Sequence, residues 1–346
     1  MISYFYTMSN AEKPPEINNE RPVLVAGASG FMGSHTVRQL VAAGRKVRIL
    51  VRPSSNLAAM GNLPVEISYG DVSDQNSLSS AMKGCDSVFY SVLDPRFWLT
   101  NPEPLYRCNV DGLINAMEAA LATGIKKFVF TSTMGTLGFN ADGPVDETIA
   151  FNWREKANPY ILARLKAETV FLEYCRTKGL PGVALCVANT YGPEDYQPTP
   201  HGGMLSAVAR GSVTRAMASS QPTVDIRDAA AAALLAEQYG IIGERYIIAN
   251  EYISNKDFYA IATNYTGKKA IKLIPHKVAF VVAWAAEKWF KLTGKKDYLL
   301  STDAVFLSGA FKAMDSSKAR SQLQWQPRPV QETVQDAIDW YQANAQ

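Results

Sequence analysis

The segment Val23-Leu24-Val25-Ala26-Gly27-Ala28-Ser29-Gly30-Phe31-Met32-Gly33 restricts the fold more than any other stretch of the chain. A short, wholly apolar run that ends in glycine reads as a buried strand. Phe31, Val37, Leu40 and Val41 then recur at helical spacing until Gly44 stops the pattern. In such a strand–turn–helix, Gly27 permits the tight turn, Gly30 lets backbone approach a pyrophosphate, and Gly33 allows helix to pack closely on strand. The helix start offers open N–H groups and the positive end of its dipole. Together these features predict a dinucleotide site built on Gly27, Ser29, Gly30, Phe31, Met32 and Gly33.

Further strand-like runs occur at 46–51, 65–69, 87–90, 127–131 and 183–187. Helical stretches at about 75–83, 105–122 and 159–178 lie between the later ones. Strands alternating with helices imply right-handed crossovers and a parallel sheet. The expected fold class is therefore α/β: a doubly wound Rossmann core over 22–188, followed over 189–346 by a smaller C-terminal substrate-binding lobe with segments returning to the core. Residues 189–226, rich in Pro, Gly, Thr and Gln, read as loops with short strands. Helices are expected at 228–239, 255–265, 277–291 and 330–343. Residues 1–21 read as a disordered extension.

Composition closes off other classes. With 346 residues, 47% apolar and 19% charged, the chain can bury a sizeable core. Its net charge of +3 is too small and dispersed for a nucleic-acid footprint. Four cysteines, Cys85, Cys108, Cys175 and Cys186, form no short-spaced pair, which argues against zinc or a disulfide scaffold and points to a reducing, cytoplasmic setting. His35, His201 and His276 are too scattered to predict a metal site. No run reaches the ~18 apolar residues needed to span a bilayer.

The end of the second strand bears on the choice of dinucleotide. Val51-Arg52-Pro53-Ser54-Ser55 carries a guanidinium and no nearby acid. Such a tip pairs with a 2′-phosphate, so NADP(H) is expected over NAD(H). Asp71 either accepts from the adenine amino group or caps the following helix. Further along, Tyr160 and Arg164 are spaced i, i+4 and share a helix face. A fixed cation beside a phenol stabilises the phenolate and lowers its pKa. A hydroxyl at the opposite strand end, in Thr131-Ser132-Thr133, can position a substrate oxygen while the tyrosine moves its proton.

These residues, with Asn109-Val110-Asp111-Gly112, Tyr191-Gly192-Pro193, 224–228 and Leu323-Gln324-Trp325-Gln326-Pro327, resemble an extended short-chain dehydrogenase/reductase. The likeness spans about 22–343 and is greatest to the dihydroflavonol 4-reductase and 3β-hydroxysteroid dehydrogenase branch, whose bacterial members are often labelled NAD-dependent epimerases. It implies a Ser/Thr–Tyr–Lys site, with Thr133 as the hydroxyl and Tyr160 as acid/base. Arg164 stands where the family has lysine, and Lys166 is about 120° off that face. Ala26 stands where the family usually has threonine. Val72, Ser91 and Asn189 join the implied cofactor contacts, and Leu93, Trp98, Thr133 and Tyr191 the implied substrate pocket.

Phe97, Trp98, Leu99 and Tyr191 suggest an apolar, aromatic wall. The expected activity is interconversion of a ketone and a secondary alcohol on a small steroid-, terpenoid- or flavonoid-like molecule, by a monomer or homodimer. Two alternatives stay open: a nucleotide-sugar epimerase or dehydratase with bound NAD, against which 189–226 offers only Arg210 and Arg215, and a non-catalytic NADP-binding regulator, raised by Arg164. Asn109 is expected to bond backbone near the site, His201 to sit in a surface loop, Cys186 in the core and Asp228 at a helix N-cap. The apolar stretch 278–290, with Lys288, Lys291, Lys295 and Lys296, reads either as a peripheral membrane contact or as a helix covering the pocket.

Overall fold

A computed structural model describes residues 20–96, 99, 101–294 and 301–344. Nearly all of the expected N-terminal extension, and Phe97 and Trp98 of the expected aromatic wall, lie outside these described residues.

β1 (Val23–Ala26) runs through the glycine turn into α1 (Phe31–Ala42), and β2 (Val47–Val51), β3 (Val65–Tyr69), α2 (Gln75–Met82) and β4 (Ser87–Tyr90) follow. The single helix expected over 105–122 is instead α3 (Glu103–Tyr106) and α4 (Gly112–Thr123), joined by a π-helical segment at Arg107–Asp111. β5 (Lys127–Thr133), α5 (Pro159–Lys178) and β6 (Gly182–Val187) complete the first half.

The large sheet has the order β3-β2-β1-β4-β5-β6, with a seventh strand beyond β6, and every pairing is parallel. Alternation along β1 shows why its run is continuously apolar. Val23 and Val25 face the core layer that includes Val37 and Leu40 of α1, whereas Leu24 and Ala26 face the layer formed by α2, α4 and α5. Strand order reverses between β1 and β4, so a crevice opens at the carboxyl ends of these strands.

In the second half come β7 (Asn189–Tyr191), α6 (Pro200–Arg210), β8 (Arg215–Met217), β9 (Ser220–Asp225), α7 (Ile226–Tyr239), β10 (Arg245–Ile248), β11 (Glu251–Ser254) and α8 (Asn255–Thr266). After them are β12 (Lys272–Ile274), α9 (His276–Thr293), α10 (Thr302–Ala310), α11 (Ser317–Gln322) and α12 (Val330–Ala343). β10 is the seventh strand of the large sheet, α7 lies beside α1, and Leu323 and Trp325 are buried in the same core. The lobe has its own core from α6, α8 and α12, beside a three-stranded sheet β7-β9-β11 and a pair β8-β12.

Helix α6 corrects the loop expected at 200–210. Gly202 and Gly203 mask its pattern, but Thr199 caps it, Pro200 occupies the first turn, and Leu205, Val208 and Ala209 supply a buried stripe.

Candidate active site

The glycine turn has the geometry its sequence predicts. Gly27 adopts φ +85°, and a Cβ there would stand 2.7 Å from the Ser91 carbonyl carbon. A Cβ on Gly33 would lie 2.1 Å from the Gly27 oxygen. One on Gly30 would meet nothing closer than that same oxygen at 3.4 Å, so it would project into the space before the helix. Among the described residues no side chain caps α1, and its first turn holds no acid, whereas Asn158, Thr199 and Asp225 cap α5, α6 and α7. Its leading N–H groups are therefore left for an anion. Ser29, Phe31 and Met32 are partly exposed around this turn, and the Ser29 carbonyl accepts from Gln197 Nε2 at 3.5 Å.

Arg52 is exposed where β2 ends, and its guanidinium has no hydrogen-bond or ion-pair partner among the described residues. The neighbouring Asp71 is not a helix cap. Its Oδ1 accepts from Ser73 N at 2.9 Å and Ser73 Oγ at 2.7 Å, and Asp74 caps α2 instead. Those two bonds hold the Asp71 carboxyl below its ordinary pKa, with help from the Arg52 charge. The Val72 carbonyl accepts from Asn115 Nδ2 at 3.0 Å. Ser91 Oγ meets Thr131 Oγ1 at 2.9 Å, tying the ends of β4 and β5 together.

Alternation in β5 separates the neighbouring hydroxyls. Ser132 is buried and donates to Glu168 Oε2, which also accepts from Thr136 Oγ1 at 2.7 Å, while Glu168 Oε1 pairs with Arg245 at 2.8 Å. Thr133 points to the other face, partly exposed, and its Oγ1 accepts from Gly135 N at 3.2 Å. That leaves the Thr133 proton for another acceptor. Gly135 packs so tightly on Ile161 that a Cβ would be 2.5 Å from Cδ1, which sets the Thr133 turn against the first turn of α5, beside Tyr160.

Tyr160 is half-buried, and its hydroxyl has no hydrogen bond among the described residues. The expected lowering of its pKa is not what the structure gives. Burial pushes the phenol up, Arg164 pulls it down less strongly, and Asp94 adds to the rise. Tyr160 therefore holds its proton at neutral pH. Arg164 is 2% exposed; its Nη2 donates to the Thr131 carbonyl at 2.6 Å, and the guanidinium carbon stands 5.1 Å from the Phe130 ring centroid. Arg164 Nε and Nη1 are buried without a hydrogen-bond partner among the described residues. Lys166 is exposed, off this face.

Asp94 is a member of the site that sequence reasoning missed. It is buried, paired with Arg96 through Oδ2, and its backbone is clamped by Asn109, which accepts from Asp94 N and donates to Asp94 O. Asn109, in the π segment, thus makes the backbone bonds expected of it. Only the chain fold brings Asp94 to Tyr160, so no local spacing could have revealed it. Leu93, three residues past the end of β4, is 43% exposed.

Asn189 and Tyr191 both donate to Gln221 Oε1, at 3.0 and 2.9 Å. Tyr191, expected to line the pocket, is 1% exposed and packs on Phe258 in the lobe core. His201 is exposed in the first turn of α6 rather than in a loop, with its ring edge-on to Tyr191. Cys186 is fully buried, as expected. Asp228 is not a cap: Asp225 caps α7, and Asp228 binds the Arg328 guanidinium through both oxygens.

Residues 23–249 match the NAD dependent epimerase/dehydratase family. The chain belongs to this family, the extended short-chain dehydrogenase/reductases, whose members act with NAD(P) on CH–OH and C=O groups. It is 31% identical over 324 residues to a Synechocystis protein named "Putative dihydroflavonol 4-reductase", covering 92% of this chain and 94% of that one. It is 29% identical over 325 residues to the sterol demethylase protein B of Methylococcus capsulatus, covering 92% and 97%. The crystal structure of gox2253 superposes with a TM-score of 0.84 at 32% identity, over 95% of this chain and 99% of that one.

The residues present fit a dinucleotide. The space before α1 that a Gly30 side chain would enter, the uncapped helix start and the partnerless nitrogens of Arg164 are all features that a bound pyrophosphate and ribose hydroxyls would complete.

Proposed function

We propose that this protein is an NADP(H)-dependent oxidoreductase that interconverts a ketone and a secondary alcohol on a hydrophobic, steroid-, terpenoid- or flavonoid-like molecule. The observation that carries this reading is the placement of the Tyr160 phenol one helical turn before the buried guanidinium of Arg164 on α5, beside the Thr133 turn. A protonated phenol suits the reducing direction. Tyr160 donates its proton to the substrate oxygen as that oxygen gains charge, and recovers it in the reverse direction. The Thr133 hydroxyl, with its oxygen fixed by Gly135 N, donates to the same oxygen and orients it. When bound, the nicotinamide supplies or accepts the hydride. Arg164 Nε and Nη1 hold ribose hydroxyls, and the positive charge eases loss of the Tyr160 proton. Arg52 binds the 2′-phosphate, and Gly27, Gly30 and Gly33 admit the pyrophosphate.

The substrate class rests on the exposed Leu93 beyond β4 and on the names of the two relatives, a dihydroflavonol 4-reductase and a sterol demethylase protein. Within 189–226 the only cations are Arg210, spent on Ser206, and Arg215, a poor set for a sugar diphosphate.

The test follows NADPH absorbance across a panel of hydrophobic ketones, with Tyr160→Phe as the control. The reading expects turnover with at least one ketone, and a fall of ~10²–10⁴-fold in the variant with cofactor binding kept. Cofactor binding without turnover, or conversion of nucleotide sugars alone, overturns it.

A further inference from the structure

Helix α9 turns a large share of its apolar side chains to solvent. Ala279 and Ala283 are buried against α10, where Val305 closes the gap. At about 100° per residue these two share one narrow stripe with Ala286 and Phe290. Glu287 Oε1 fastens the hairpin by accepting from Thr302 N and Oγ1, and His276 Nε2 bonds the Val305 carbonyl. Much of the rest of the helix surface is apolar and exposed. Val278, Val282, Ala285, Trp289 and Leu292, spaced i, i+4, i+7, i+11 and i+14, form a continuous side, with Trp289 64% and Leu292 83% exposed. Roughly 90° further round stand the exposed Lys277 and Lys288, the latter with Nζ 5.8 Å from the Trp284 ring centroid.

We infer that α9 docks this protein on the surface of an anionic lipid bilayer. The apolar side is wide enough to enter the acyl boundary. Lysines and an amphipathic tryptophan border it at the depth where headgroups lie. The 18-residue helix would lie about 27 Å along the plane. It lies on the membrane rather than through it, since no helix among the described residues is long and apolar enough to cross. Charge decides between lipid and a second copy of the chain. A two-fold pairing of α9 with itself would bring its lysines towards their own copies, whereas anionic headgroups neutralise them.

Through α10, the α9 hairpin is linked to the segment that follows Thr133. Phe306 of α10 stands 6.1 Å from Trp153 between ring centroids, and Trp153 Nε1 donates to the Leu137 carbonyl, just past the Thr133 turn. Docking is independent of the reaction proposed above, and the experiment does not use activity.

Full-length protein is floated with vesicles of equimolar phosphatidylcholine and phosphatidylglycerol, and with phosphatidylcholine alone, at low and high salt. The inference expects flotation with the anionic vesicles at low salt, weakened by salt and by omission of phosphatidylglycerol. Lys277→Ala with Lys288→Ala should weaken it roughly thirtyfold. Trp289→Glu with Leu292→Glu should abolish it while circular dichroism and NADPH binding stay as in wild type, because both side chains are exposed. No flotation of folded wild type overturns the inference. So does binding that ignores all four substitutions, or a lipid-independent dimer that the two glutamates disperse.

Discussion

Replacing Arg164 with methionine separates a residue that holds the fold from one that serves the reaction. Among the described residues the buried guanidinium has one hydrogen bond, to the Thr131 carbonyl, and one ring contact, to Phe130. Loss of the charged bond costs about 1.5–3 kcal/mol and of the ring contact about 0.5–2 kcal/mol. Against this stands relief of a buried cation with no carboxylate partner among the described residues, since Glu168, one turn along, is engaged by Arg245. That relief is worth several kcal/mol, roughly, and each of the two partnerless nitrogens adds about 1–3 kcal/mol. Arg164→Met should therefore be as stable as wild type in the absence of cofactor, or more so, by urea denaturation. Its kcat/KM should fall about a hundredfold or more, and the pH profile of any residual activity should shift alkaline, because Arg164 is the group that lowers the Tyr160 pKa. Arg164→Lys should retain measurable activity, with charge and reach kept. A methionine variant that loses more than about 2 kcal/mol yet keeps wild-type kcat/KM would refute this, and would make Arg164 a brace between α5 and β5.

Three further outcomes are expected. Arg52→Ala should raise the Kd for NADPH about tenfold or more and leave that for NADH nearly unchanged, by fluorescence titration; equal losses would remove Arg52 from the 2′-phosphate. Gly33→Ala should destabilise by about 1–3 kcal/mol in urea and abolish NADPH binding, because its Cβ would stand 2.1 Å from the Gly27 oxygen. His35 is held down to about 4, chiefly by burial, so the unfolded chain takes up its proton first as pH falls below about 6.5. Stability should drop between there and about 4, by up to about 3 kcal/mol from this group, and His35→Gln should flatten that slope; parallel profiles would show that other groups set it.

The parts legible in the sequence are those written locally. The glycine turn, the strand runs and the i, i+4 pairing of Tyr160 with Arg164 need only a few consecutive residues, and each appears where its spacing puts it. What escaped depends on distant partners. Asp228 looks like a cap because it opens a predicted helix, yet Arg328, a hundred residues on, claims both its oxygens. The nearby cation alone predicts a lowered Tyr160 pKa, whereas burial and Asp94 outweigh it. Tyr191 follows a strand as a pocket residue would, but Gln221 and Phe258 draw it into the lobe core. Helix α6 was hidden by two glycines, and α10 by a sequence with little amphipathic pattern.

The edge position of β10 has a consequence for how the protein is made. The cofactor half is complete in sequence by β6, but its sheet ends on a strand from residues 245–248, its α1 is covered by α7, and Trp325 donates to the Asp228 carbonyl beneath it. A ribosome must therefore extend the chain past residue 325 before the first half can close over its own apolar layer. Until then the β6 edge and the exposed side of α1 are open to pairing with other nascent chains. A fragment stopped at 188 should aggregate rather than bind dinucleotide, and this chain should lean on chaperones longer during synthesis than one whose nucleotide half closes by itself.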